Sequence, residues 1–110
     1  MPDNFTYKTD NKNQTGIKPE VINEMIELAK RFGVHKVILF GSRARGTFQE
    51  KSDIDLAVSG GDRTMFALDV DEAEIVPTLL MFDVVDLDRG CNEELRAEIE
   101  RDGVVLYEAE

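Results

Sequence analysis

The sequence predicts one α/β domain in which a small mixed β-sheet is flanked by helices. Three observations carry that reading. Apolar residues recur at helical spacing after Pro19 and again after Asn92, Val- and Ile-rich runs of strand length lie between and after them, and Gly, Pro or Asn stands at most junctions. A chain of 110 residues with 42% hydrophobic content is long enough for a single core, and one domain is the expectation.

The elements follow in chain order. "MPDNFTYKTDNKNQTG" is rich in Asn, Asp, Lys and Thr, shows no periodicity and reads as a mobile arm. A segment that covers a sheet edge or binds a partner is the alternative. The expected division is residues 1–17 for the arm and 18–110 for the domain. Pro19 suits a first helical turn, where its missing N–H would lack a partner anyway. Val21, Ile22, Met25, Ile26, Ala29 and Phe32 then form a helical stripe, and Gly33 stops it. "HKVILF" reads as a buried strand ending at Phe40, and "DIDLAV" as a second strand broken by the "SGG" at Ser59.

Asp62 or Thr64 can start a helix reaching about Glu74, with Met65, Leu68 and Ala73 as its apolar stripe and Pro77 ending or kinking it. "LLMFDVVDL" is a third strand. Asn92 caps a last helix, with Glu93 and Glu94 at the positive end of its dipole and Leu95 and Ile99 facing inward. Gly103 terminates it and "VVLY" is the final strand. The order is helix, strand, strand, helix, strand, helix, strand, without repeats or an internal linker.

Composition excludes several functions. A formal net charge of −10 opposes direct binding of nucleic acid, which needs Lys and Arg against phosphates. It does not oppose a small nucleotide that arrives with a metal ion. The single cysteine, Cys91, rules out an internal disulfide and fits a reducing cytoplasm. No signal-peptide pattern opens the chain, and no apolar run approaches the roughly 20 residues of a membrane helix. The expectation is a cytoplasmic protein that does not enter membranes, either a monomer or a homo-oligomer.

The chemistry concentrates in "LFGSRARGTFQEKSDIDLAV", Leu39 to Val58. A P-loop fails because Thr47 and Phe48 stand where Lys and Ser or Thr belong, and no G-x-G-x-x-G is present. The same physics is available in another arrangement. A Gly–Ser turn after a strand lets backbone approach a ligand, and amides opening a short helix attract anions. The Ser42 hydroxyl can donate to a phosphate oxygen, and Arg43 and Arg45 can each grip phosphate in a bidentate way. Asp53 and Asp55 lie two apart on a strand and share a face. Carboxylates that close repel one another, and magnesium, bound by one or two carboxylates plus substrate phosphates, is the natural neutraliser. A third carboxylate would come from "FDVVDL", where Asp83 and Asp86 have opposite parity and only one can share the metal face. Either motif alone is often a plain turn or a solvated edge; nothing structural demands both together.

Together these residues resemble the signature of the DNA polymerase beta-like nucleotidyltransferase superfamily. Gly41-Ser42, ten intervening residues, then Asp53-Ile54-Asp55 reproduce that family's spacing. "FDVVDL…EELRAEIERDGVVLYE" is similar to the tail of its minimal nucleotidyltransferase (MNT) subgroup, whose members are often encoded beside a HEPN-domain protein. The similarity runs from Pro19 to Glu108. It implies a polymerase beta-like fold, with Asp53, Asp55 and Asp83 binding two magnesium ions. Asp83, at the family's position in the "FDVV" strand, is implied as general base or second-metal ligand. Gly41 and Ser42 would hold the triphosphate, assisted by Arg43 and Arg45, with Ser52 of "SDIDL" among the nucleotide-binding residues. The implied reaction moves AMP from ATP to an acceptor hydroxyl. For the MNT subgroup, the implied acceptor is a tyrosine of a HEPN RNase toxin, which would make this chain the antitoxin. Two rival readings stay open: a catalytically weak or inactive module that neutralises a HEPN partner by contact, and a nucleotidyltransferase for a small cationic molecule such as an aminoglycoside.

Other residues attract blander readings. His35 has no second His or Cys near it and suits a surface or packing role. Cys91 lacks a neighbouring base. The run "DVDEAE" from Asp69 to Glu74 reads as a solvated helix face. Among Phe66, Leu79, Leu80, Met81 and Phe82, some are expected in the core and some in a surface patch.

Overall fold

The computed structural model describes residues 15–72 and 78–109. Most of the expected arm, the expected end of the second helix and Pro77 lie outside the described residues.

Helix α1 (Pro19–Arg31) opens on Pro19 and closes at Phe32 before the positive-φ Gly33. It buries Val21, Ile22, Met25, Leu28 and Ala29. Strand β1 (Lys36–Phe40) follows, then a one-turn helix α2 (Ser42–Arg45) and strand β2 (Ile54–Ser59). Helix α3 (Arg63–Val70), strand β3 (Phe82–Asp86), helix α4 (Glu93–Asp102) and strand β4 (Val104–Glu108) complete the order. The sheet order is β3-β2-β1-β4. β1 pairs antiparallel with β2 and β4, and β2 pairs parallel with β3, so the sheet is mixed.

Strand parity divides the sheet into two faces. Ile54, Leu56 and Val58 of β2 join Val37 and Leu39 of β1 against α1 and α3, where Phe66 is fully buried. Burying one such large apolar side chain contributes about 1.5–3 kcal/mol. Ala57 and Phe40 point the other way and pack with Ile99 of α4, flanked by Ile38, Val85, Leu87 and Leu95. The helix is held at its start by Asn92, whose side chain accepts from the Leu95 amide at 2.8 Å. The β1–β4 register shifts between Val37 and Ile38. That irregularity lets Val104, Leu106 and Tyr107 all reach the α1 core although they do not alternate.

Three expectations need correction. Thr15 and Ile17 are 2% and 4% exposed, so the folded unit already includes Thr15 to Ile17, which the arm was expected to contain. Helix α3 ends at Val70 rather than Glu74, and it buries Phe66 and Val70, while Met65 and Leu68 are 39% and 59% exposed. The Asp62 cap, which accepts from the Met65 amide at 3.1 Å, fixes where the helix starts, and packing against the sheet buries its Phe66–Val70 side. The third strand begins at Phe82, and Leu79 and Met81, expected inside it, are 96% and 65% exposed ahead of it.

Candidate active site

The glycine turn sits at the end of β1. Gly41 has φ 76° and ψ −157°, a conformation that other residues adopt only with strain. Its carbonyl accepts from the Ala44 and Arg45 amides, both at 3.1 Å, which winds the chain into the four residues of α2. Gly46, at φ 82°, ends that turn and Thr47 N donates back to Ser42 O at 3.0 Å. The chain then returns through residues 47–53 to β2.

Three carboxylates meet beside the turn. Asp55 lies opposite Phe40 in β1 and opposite Asp83 in β3. Asp53 precedes it by two residues, at the mouth of β2. Asp53 and Asp83 are exposed and Asp55 is half-buried. The Asp55 carboxyl is pushed above the usual carboxylate range, first by burial and then by the negative charges of Asp83, Asp53 and Glu98, with Arg45 opposing. A carboxylate raised by its own neighbours in this way marks a place where added positive charge is favourable.

Asp86 stands apart from this cluster. Its carboxylate accepts from Arg63 Nε at 2.6 Å and pairs with Arg89 at 3.6 Å, while Arg63 also reaches Asp88 at 3.0 Å. It shares the sheet face of Val84 rather than that of Asp83.

The two arginines of the turn diverge. Arg45 keeps its guanidinium at the surface, 3.1 Å from Glu98 and 4.0 Å from Asp102 of α4. Arg43 turns inward and is 1% exposed. Its donors reach the carbonyls of Thr15 at 2.8 Å, Ser52 at 3.0 Å and Glu50 at 3.0 Å, so it is not free to grip phosphate as the sequence reading expected. Residues 49–52 curl back over α2 and present the carbonyls of Glu50 and Ser52 to the guanidinium, while Thr15 closes on it from the other side. Ser52 is likewise engaged, its hydroxyl accepting from the Gln49 amide at 2.8 Å. Ser42 is half-buried at the turn.

Glu98 and Asp102 escaped the sequence reading. The signal was available: positions 95, 98, 99 and 102 share one helix face, so both acids flank the half-buried Leu95 and the buried Ile99. His35 and Cys91 are, respectively, exposed and half-buried, and neither belongs to the cluster.

The donor set can be tested against a metal. Among the described residues no group of three or more acidic, His or Cys side chains is gathered closely enough to hold a metal ion by itself. Magnesium asks for less, taking one or two carboxylates and completing its shell from phosphate and water. Asp53, Asp55 and Asp83 are the carboxylates that would hold such an ion if it arrived with a polyphosphate. A groove of about 540 Å³ lined by Ile17, Val21, Thr78, Leu79 and Leu80 includes none of these carboxylates. The acidic cluster is the better candidate because it sets three carboxylates beside the glycine turn. Among the described residues no helix is long and apolar enough to cross a membrane.

Comparison with known proteins speaks to the family and the fold. The family model described as polymerase beta, nucleotidyltransferase matches residues 20–110. No curated protein matches the chain in sequence. A toxin–antitoxin crystal structure with AMP-PNP superimposes with TM-score 0.63 at 28% identity, over 81% of this chain and 74% of that one. An MNT antitoxin in complex with a tri-AMPylated HEPN toxin from Shewanella oneidensis gives TM-score 0.57 at 25% identity, over 81% and 71%. A protein described as a minimal nucleotidyltransferase gives TM-score 0.57 at 27% identity, over 76% and 86%.

Proposed function

The chain belongs to the polymerase beta nucleotidyltransferase family, and on that premise we propose that it moves AMP from ATP, with magnesium, onto a hydroxyl of a HEPN-class partner protein and so acts as an antitoxin in the cytoplasm. The observation that carries the reading is the register of Asp55 beside Asp83, with Asp53 two residues away and Gly41 packed beneath. The likeness to an antitoxin fold solved with AMP-PNP and to an MNT antitoxin with an AMPylated toxin supports the nucleotide and the partner.

In this reading Asp53, Asp55 and Asp83 hold magnesium, which when bound supplies charge neutralisation and polarises phosphate oxygens. The chain's own residues do the rest. The Gly41–Ser42 turn lets backbone and the Ser42 hydroxyl approach the triphosphate. Arg45, held at the rim by Glu98, exchanges that partner for a phosphate oxygen. The acceptor hydroxyl attacks the α-phosphorus, Asp83 takes its proton, and the bond to the bridging oxygen breaks to release pyrophosphate.

A second reading, neutralisation by contact alone, draws on the exposed Leu79 and Met81. One experiment separates the two. The protein and its Asp53→Asn variant are incubated with ATP labelled on the α-phosphate, magnesium and lysate from the native source. A labelled protein band with the wild type alone supports transfer, and its mass identifies the acceptor. No band, in lysate that contains the unmodified partner, rejects transfer and favours contact alone.

A further inference from the structure

Arg43 is the one polar side chain of the glycine turn, Gly41 to Gly46, that the proposed reaction does not use. It is 1% exposed and makes no ion pair among the described residues. Burying a guanidinium costs free energy unless its donors are satisfied, and here burial pushes its pKa down. Its partners are backbone carbonyls from two separate segments: Thr15 on one side, and Gln49, Glu50 and Ser52 on the other. Its flat face lies 4.8 Å from the centre of the Phe48 ring.

Gly16 closes the assembly. It has φ 72°, and a Cβ there would overlap the Phe48 ring and press on Arg43 Nη1. Three stretches of chain therefore meet on one guanidinium: residues 15–16, helix α2 and the loop 48–52. The loop leads directly to Asp53. Ser52 O is held by Arg43 Nε at 3.0 Å, and Ile54 N is held by Met81 O at 2.8 Å. Asp53, exposed and between them, has its backbone tied on both sides.

We infer that Arg43 is a positioning residue for Asp53, and that residues 15–16 act on the site through it. The inference rests on the reading that Asp53 binds a metal. A carboxylate whose backbone wanders must be ordered when the ion binds, and that cost appears as lost affinity. The positive charge alone is not the device. A lysine keeps the charge but presents all its donors from one nitrogen, which cannot span carbonyls on opposite sides.

The test is Mn²⁺ binding to the full chain without nucleotide, followed by electron paramagnetic resonance, together with amide exchange at Gln49 and Ser52. Four proteins are compared: wild type, Arg43→Lys, Gly16→Ala and Asp53→Asn. Gly16→Ala loosens the same cluster from the other side and decides the matter if Arg43→Lys does not fold. Expected are a Mn²⁺ dissociation constant raised about tenfold in Arg43→Lys, a smaller rise in Gly16→Ala, and faster exchange at Gln49 and Ser52 with β1 amides still protected. Unchanged Mn²⁺ affinity with faster loop exchange would overturn the inference, leaving Arg43 a loop clamp only. Full rescue by lysine would overturn it in favour of charge. Wild-type affinity in Asp53→Asn would instead remove the metal reading on which it rests.

Discussion

Gly41 holds the Asp55 carboxylate directly against its α-carbon, so that any Cβ at position 41 would overlap Asp55 Oδ2. The turn and the acidic cluster are thus one packed unit, and the backbone of one shapes the side chain of the other. Gly41→Ala is expected to displace Asp55, cost about 1–2 kcal/mol of stability through its positive φ, and lower transfer at least 100-fold. Thermal melting and the α-labelled ATP assay measure the two effects.

Asp55 also sets a pH dependence. Its folded-state pKa is raised, so between the ordinary carboxylate range and that higher value the native state binds more protons than the unfolded one. Stability without metal therefore falls as pH rises through that window. Asp55→Asn removes the penalty and is expected to melt a few degrees above wild type at neutral pH. The gap closes in acid, where Asp55 is protonated in both states. Melting curves across pH, with chelator present, check this.

Asp83 and Asp86 are expected to separate activity from stability. Asp83 is exposed and its loss should abolish transfer with little change in melting. Asp86 anchors Arg63 at 2.6 Å in a half-buried pair. Asp86→Asn should cost about 1–3 kcal/mol and leave the rate per folded molecule within about threefold.

Glu98 raises Asp55 and pairs with Arg45 near the surface. An exposed pair of this kind contributes about 0–1 kcal/mol, so Glu98→Gln should barely alter melting. It should let Asp55 ionise at lower pH, moving the acid limb of the rate profile downward. A limb that does not move would separate Glu98 from the site.

The phase of α3 yields a paired prediction. Phe66→Ala empties a fully buried position and should cost about 3–5 kcal/mol, while Met65→Ala, one residue earlier and 39% exposed, should stay within about 0.5 kcal/mol. Urea unfolding of both variants tests it.

What the sequence determined by itself is local. Periodicity and punctuation placed most elements, because a strand's parity and a helix cap depend on neighbours within a few residues. The common face of Asp53 and Asp55, the opposite parity of Asp83 and Asp86, and the Asn92 cap were all legible for that reason. The tertiary structure decided what each side chain meets. Arg43 looked like a phosphate ligand because its motif neighbours Ser42 and Arg45 sit beside it in the chain. Only folding brings Thr15 and the loop carbonyls around it. The Arg45–Glu98 pair spans 53 positions, and no local pattern encodes it. The α3 stripe was misread because two helical faces were nearly equal in hydrophobicity, and packing against the sheet chose between them. Local rules state which way a residue points; only the packing of separate elements states what stands there.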